Sequence, residues 1–313
     1  MALSLLKNLV RSVGVILLVT FATFSLMYAD GPGIARSTLG LNATPEAVAA
    51  QLTKLGLDRP LLVQYGDWLS GVVTGDLGRS FYTSESVASA LSTRVPVTLT
   101  LVISTLLLAA VVSVILGVTA AVRGGWVDKL VQFLTVLGNA IPGYVIAISL
   151  VFALAVAWRI FPATGYVPFA KDPEMWAKSL TLPVIALAVG AIGGIASQFR
   201  TAVLDTLGRD YTRTLRARGV RESEIIFRNV LRNAAAPGLT AISLTMIALL
   251  GGTVFIEQIF AIPGMGQLAN SAAQISDVPM VMGTVLVTIA IVLVVNFVGD
   301  LGVTLLNPKA RKR

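Results

Sequence analysis

Few of the 313 residues in this chain carry groups suited to chemistry. There is no histidine and no cysteine. That excludes thiol nucleophiles, disulfides, Cys/His metal cages and histidine-based triads. No G-x-x-x-x-G-K-[ST] run occurs, and the glycines at 190–194 lie in an apolar stretch with no lysine after them, so no phosphate cradle is visible. What remains are polar side chains inside or beside long apolar runs: Asn139, Glu257, Asn296 and Asp300. Such groups are costly to place in a membrane and count as functional candidates by default. Glu257, within T-V-F-I-E-Q-I-F, has two readings. It lines an outer gate and attracts an ammonium group, or it is a carboxylate capped by backbone or solvent. Asn139 is an interhelical hydrogen-bonding group or a pathway ligand. Asn296 shares a helix face with Asp300, which is near enough to the span's end to snorkel to water. No catalytic constellation emerges, and the expectation is a non-enzyme.

The elements that must position these groups are apolar helices. Hydrophobic residues make up 55% of the chain and charged residues 13%, about half the charged share of a soluble domain. With a mean hydropathy of +0.82, the chain reads as an all-α integral membrane protein. Apolar runs predict six spans, at residues 10–29, 95–122, 130–157, 180–199, 239–255 and 281–306. Pro142 and Gly143 interrupt the third, which neighbouring helices can accommodate. Residues 30–94 form an extracytoplasmic segment. In it Thr44-Pro45-Glu46 starts a helix, and residues 60–73 present Leu61, Leu62, Tyr65, Trp68, Leu69 and Val72 on one face. Residues 158–179 return outside, with Pro162, Pro168 and Pro173 breaking regular structure. Pro263 to Gly266 re-turn the chain before a short helix near residues 267–275. Residues 307–313 end with four basic side chains. In this topology 16 of the 24 basic residues fall on the side of both termini, which the positive-inside rule makes cytoplasmic. Basicity confined to one face is an orientation signal before it is a nucleic-acid signal. No internal repeat or second domain is evident, and residues 1–313 read as one transmembrane domain.

The densest basic stretch is residues 200–237, with eight arginines against four acidic residues, set between two spans. Residues 201–218 have helical composition, Gly219 is placed to end that helix in a left-handed conformation, and a second helix resumes at Arg221. Ile225, Ile226 and Val230 recur at helical spacing as an apolar stripe. A basic helix–Gly–helix with such a stripe looks built to dock a partner; a bare topology anchor is the alternative.

At Asp210-Tyr211, Arg213-Thr214, Ala217-Arg218-Gly219, Glu222, Leu231-Arg232-Asn233-Ala234 and Pro237, this stretch resembles the cytoplasmic EAA loop of ABC importer permeases, in their dipeptide/oligopeptide/nickel branch. Arg213-Thr214-Leu215 stand where the wider superfamily has Glu-Ala-Ala. Arg221 stands where the branch often has Ser, which removes the expected helix cap, and Asn229 where it often has His. Gly75 to Ser80 (G-D-L-G-R-S) and the glutamate followed by F-x-x-P-G-x-G at Glu257 resemble two further signatures of the branch. The resemblance implies a permease subunit in a bacterial inner membrane, forming half of a translocation pathway for peptides. An extracytoplasmic binding protein would deliver the solute. Arg213, Thr214, Ala217, Arg218, Gly219, Glu222, Ile225, Ile226 and Val230 would couple the chain to one or two ATPase subunits. ATP and Mg would bind those subunits, not this chain. Glu257, Asn139 and Asn296 would belong to the path or its outer gate, and a second permease, by the resemblance a paralogue, would complete it. The alternatives are the same machine carrying nickel chelates, glutathione or another small solute, an ion-coupled secondary transporter, and a membrane scaffold.

Overall fold

The structure, a computed structural model, describes residues 2–40 and 42–306. The basic tail at 307–313 lies outside the described residues, as do the side chains before Val10. Among the described residues all regular structure is helical. The order is α1 (Ala2–Met27), α2 (Gly31–Leu39), α3 (Pro45–Lys54), α4 (Leu61–Thr74), α5 (Val87–Arg123), α6 (Gly125–Ala140), α7 (Gly143–Leu150), α8 (Pro173–Leu207), α9 (Asp210–Ala217), α10 (Glu222–Glu224), α11 (Leu231–Ile259), α12 (Met265–Gln274) and α13 (Val278–Leu306). A π-helical turn follows α7 at Val151–Ala157, and another joins α10 to α11 at Ile225–Val230. Five stretches among the described residues are long and apolar enough to cross a membrane, or six if the bent pair α6–α7 counts as one.

The expected third span is sharply bent rather than one straight helix. Residues 130–157 as one helix would be about 42 Å long, well over the hydrocarbon thickness of about 30 Å. Instead the chain turns by 92° between α6 and the segment Gly143–Ala157. Ile141 precedes proline, which disfavours the helical region, and it is extended at φ −90°, ψ 120°. Pro173 also departs from expectation. It starts α8 rather than breaking structure, with the Asp172 carboxylate accepting from the amides of Glu174 and Met175 at 3.0 Å each. The helix of the basic loop is shorter than predicted, because α8 runs on to Leu207 before Gly208 ends it.

The chain divides into two compact units, 1–97 with 263–293, and 98–262 with 294–313; α5 and α13 each contribute to both. In the first unit, Thr44 caps α3 as its sequence indicates, and α4 occupies the predicted range within one residue. Phe24, Ile34, Leu57, Val278 and Met282 form a core on which Tyr65 and Trp68 of α4 pack. Phe24 stacks on Tyr28 at 4.0 Å, and Tyr65 on Trp68 at 5.8 Å. The predicted single apolar face of α4 is split: Tyr65 and Trp68 turn inward, while Leu62 is 71% exposed.

The G-D-L-G-R-S signature belongs to the same unit and has a structural job. Gly75 ends α4 in the left-handed conformation (φ 86°), and the Asp76 carboxylate accepts from the Gly78 amide at 2.9 Å. Gly78 is again left-handed, at φ 84°. Ser80 then donates to the buried Asp277 carboxylate at 2.5 Å, and the Phe81 amide donates to the other oxygen at 3.2 Å. Two glycines and an Asx turn thus aim one serine at one buried acid almost 200 positions away.

In the second unit α8 packs on α11, α6 and α7. Small residues set these approaches. A Cβ at Gly238 of α11 would lie 2.2 Å from the Phe199 ring, and one at Gly117 of α5 would lie 2.7 Å from the Ala196 carbonyl oxygen. Arg200 makes a two-pronged ion pair with Asp128, tying the C-terminal part of α8 to the start of α6.

Candidate functional site

The basic loop is a folded unit rather than a flexible connection. The amides of Gly219 and Val220 donate to the carbonyls of Arg216 (2.9 Å) and Leu215 (3.1 Å), with Gly219 at φ +74°. This pair of bonds is a Schellman ending, and Val220 and Leu215 supply its usual apolar contact through a shared cluster. Arg221 precedes α10 in an extended conformation with no side-chain cap, as its sequence implies. Glu222 accepts twice from Arg216, at 3.0 and 2.5 Å, closing α10 back onto α9. That carboxylate raises the Arg216 pKa above its ordinary value, chiefly through the hydrogen bonds. Tyr211 accepts from the Asn233 amide at 3.0 Å, so two motif residues 22 positions apart meet. Thr212, fully buried, donates to the Thr206 carbonyl at 2.9 Å and holds α9 against the end of α8.

The structure separates the nine coupling candidates into two groups. Arg213, Thr214, Ala217, Arg218, Gly219 and Glu222 are exposed. Ile225, Ile226 and Val230 are buried, at 0%, 8% and 0% exposure. Ile225 and Val230 pack with Ala121, Ala202, Val203 and Ala234 of this chain. The apolar stripe is therefore the loop's own core, which corrects the reading of these three residues as anchors for a partner. The exposed apolar group on the turn is Phe227, at 73%. Its position off the stripe, among arginines, is the sequence signal that would have found it.

Glu257 also differs from its gate reading. It is fully buried, and Thr98 donates to its carboxylate at 2.6 Å. Its backbone carbonyl accepts from Ile262 at 2.8 Å, in the turn that ends α11. Asn139 lies over α8, where a Cβ at Gly193 would be 2.9 Å from its Oδ1. Asn296 is exposed on α13.

A cavity of about 350 Å³ does open in this unit, between α7, α8 and α11. Gly190, Gly194 and Gly252 form much of its wall, Tyr144 and Phe255 face each other at 6.3 Å, and Thr245 adds a hydroxyl. The bend at Pro142 is what brings Gly143 and Tyr144 to it. Phe255 and Ile256 line it, but Glu257 does not. Small residues, two aromatic rings and two hydroxyls make up this lining, with no charged side chain among them.

Residues 113–312 match the family of binding-protein-dependent transport system inner membrane components, and residues 1–102 match the N-terminal region of such components. The chain belongs to this family. A putative peptide transport system permease protein of Brucella abortus is 38% identical over 98% of both chains. A probable peptide ABC transporter permease protein of Sinorhizobium fredii is 33% identical over 99% of this chain and all of its own. The oligopeptide transport system permease protein AppB of Bacillus subtilis is 31% identical over 99% of each. Among solved structures, an inward-facing form of the MetNI methionine ABC transporter aligns with a TM-score of 0.56, covering 70% of this chain and 97% of that one, at 21% identity. This permease is an all-helical inner membrane protein of a binding-protein-dependent importer, and as a permease subunit it is non-catalytic.

Proposed function

We propose that this permease carries peptides, with a second permease subunit completing the pathway and ATPase subunits supplying the energy. The observation that carries the substrate class is the set of full-length relatives named as peptide permeases at 31–38% identity. An extracytoplasmic binding protein delivers the peptide, in keeping with the family. The cavity between α7, α8 and α11 is this chain's share of the path. Its lack of charged lining residues suits cargo whose side chains vary in charge and size.

The basic loop docks an ATPase subunit on the cytoplasmic side. Phe227 is the anchor that enters the partner, and Arg213, Arg218 and Arg228 form a polar rim that speeds encounter more than it tightens binding. Beneath them the buried stripe of Ile225, Ile226 and Val230 makes loop and spans one rigid piece, so movement of the ATPases turns the helices above. Glu257 acts by holding α5 to α11 through Thr98, not by meeting solute.

The test is the reconstituted complex with its binding protein in proteoliposomes. Di- and oligopeptides should stimulate ATP hydrolysis and accumulate inside. Stimulation by a nickel chelate or glutathione, with none by any peptide, would replace the peptide reading.

A further inference from the structure

The cavity between α7, α8 and α11 is lined by two hydroxyls that the fold leaves unused. Elsewhere on α11, hydroxyls are satisfied by the helix itself. Thr240 and Ser243 donate to the carbonyls of Ala236 and Leu239, four residues back, at 3.2 and 3.1 Å. Thr253 donates to the Leu250 carbonyl at 3.0 Å. Such back-bonding occupies a hydroxyl without any help from a neighbouring element. Thr245, the fourth hydroxyl on α11, makes no hydrogen bond among the described residues, and it lines the cavity. Tyr144, near the start of α7, lines it as well, and its phenol likewise has no hydrogen-bond partner among the described residues. Both side chains can be reached from the open cavity: Tyr144 is 48% exposed and Thr245 is half-buried.

The rest of the wall narrows what these hydroxyls can take. With no charged lining residue, a carboxylate or ammonium group in the cavity would lose water without gaining a counter-ion. A hydroxyl donates one hydrogen bond and accepts others, so the pair fits a neutral group that does both. At about 350 Å³ the cavity has the size and make-up of a small-ligand site, an apolar wall with a few polar groups. Glycines leave space beside the hydroxyls. A Cβ at Gly194 would meet nothing within 4 Å, and one at Gly252 would meet Leu187 at 3.8 Å, an ordinary contact. The room at these two positions is therefore not taken up by close helix packing among the described residues. In a peptide, the neutral donor–acceptor group that recurs whatever the side chains is the main-chain amide.

We propose that the Tyr144 and Thr245 hydroxyls hydrogen-bond the main-chain amide of a peptide in transit, so that this part of the path reads backbone and leaves the glycine-lined space to side chains. The inference rests on the peptide reading above. Its test compares two cargoes in the reconstituted transporter: tri-alanine, and the same molecule with both peptide N–H groups replaced by ester oxygens. The binding protein is saturated with either cargo first, and the amide-to-ester ratio of uptake rates is compared between wild type and variants, which cancels the binding protein's own preference. Tyr144→Phe combined with Thr245→Val removes the two hydroxyls at nearly constant shape. This variant should lower the ratio at least about fivefold, the scale of one neutral hydrogen bond. Thr245→Ser, which keeps a hydroxyl, should retain the wild-type ratio. A ratio unchanged in the double variant would overturn the proposal, even if both cargoes slowed, because a structural role moves them together. Should the double variant not be recovered with its partner subunits, Tyr144→Phe alone decides by the same ratio, since that side chain is exposed. Wild-type transporter that takes up neither cargo would overturn the peptide reading itself, and the inference with it.

Discussion

At the scale of single residues, burial decides which substitutions report on coupling. Phe227 is exposed and makes none of the loop's core contacts. Phe227→Ala should therefore leave the permease inserted and paired while reducing ATPase capture. An aromatic anchor is worth about 2 kcal/mol or more at an interface, so a fall of at least tenfold in pull-down affinity is expected. Wild-type capture by that variant would end the anchor reading. Ile226→Asp behaves differently. The site is 8% exposed within this chain, and a carboxylate there costs about 3 kcal/mol or more, whether it stays charged or takes up a proton. Its expected outcome is loss of the folded permease from the membrane, which immunoblotting would show. Glu257→Gln retains an acceptor for Thr98 and should assemble normally. Because the carboxyl is fully buried away from the cavity, uptake by this variant should not depend on peptide charge. A selective loss of cationic peptides would restore a direct role in the path.

Between elements, the decisive contacts are a clamp and a close approach. Ser80 and Asp277 are held together with no ion-pair partner for the acid among the described residues, only an O–H and an N–H donor. Ser80→Ala removes the shorter bond and leaves a buried oxygen short of a donor, at a cost of about 1–3 kcal/mol. The expected result is a lower melting temperature for the purified protein, and Asp277→Asn should lower it too, because both carboxylate oxygens accept and an amide offers only one. A melting temperature unchanged by Ser80→Ala would show that the signature's turns carry themselves. On α11, Gly238→Ala would drive a methyl into the Phe199 ring at 2.2 Å. Overpacking of that kind costs about 1–3 kcal/mol, and here it should also widen the spacing of α8 and α11 and alter the cavity between them. Gly219→Ala touches nothing within 4 Å, so its cost is the left-handed backbone alone, about 1 kcal/mol.

For the molecule as a whole, the 16-to-8 split of basic residues predicts the orientation. The native chain has no cysteine, so Ser223→Cys and Ser84→Cys give single reporters at exposed positions. A membrane-impermeant thiol reagent should reach Ser223→Cys only from the cytoplasm and Ser84→Cys only from outside. Labelling of either from the opposite face would reverse the topology.

How much of this was legible in the sequence depends on the range of the interaction. Helical spans follow from apolar run length, and the caps at Thr44 and Gly219 follow from residues whose preferences act within a turn. Family and loop motif were legible because the spacing of Asp210 through Pro237 is itself the signal. Contacts made across long stretches of chain were not. The stripe of Ile225, Ile226 and Val230 marks a buried face, but periodicity is the same whether a helix buries that face in its own chain or in a partner. Only the packing of Ala121 and Val203 beside it decides for the former. Likewise a glutamate in an apolar run reads as pathway or as cap until a donor is found, and that donor, Thr98, is 159 positions away. Pro142 announced a break, but the 92° turn and the cavity it helps wall depend on where α8 and α11 stand. Sequence determines what each segment must bury; the tertiary structure alone decides against what.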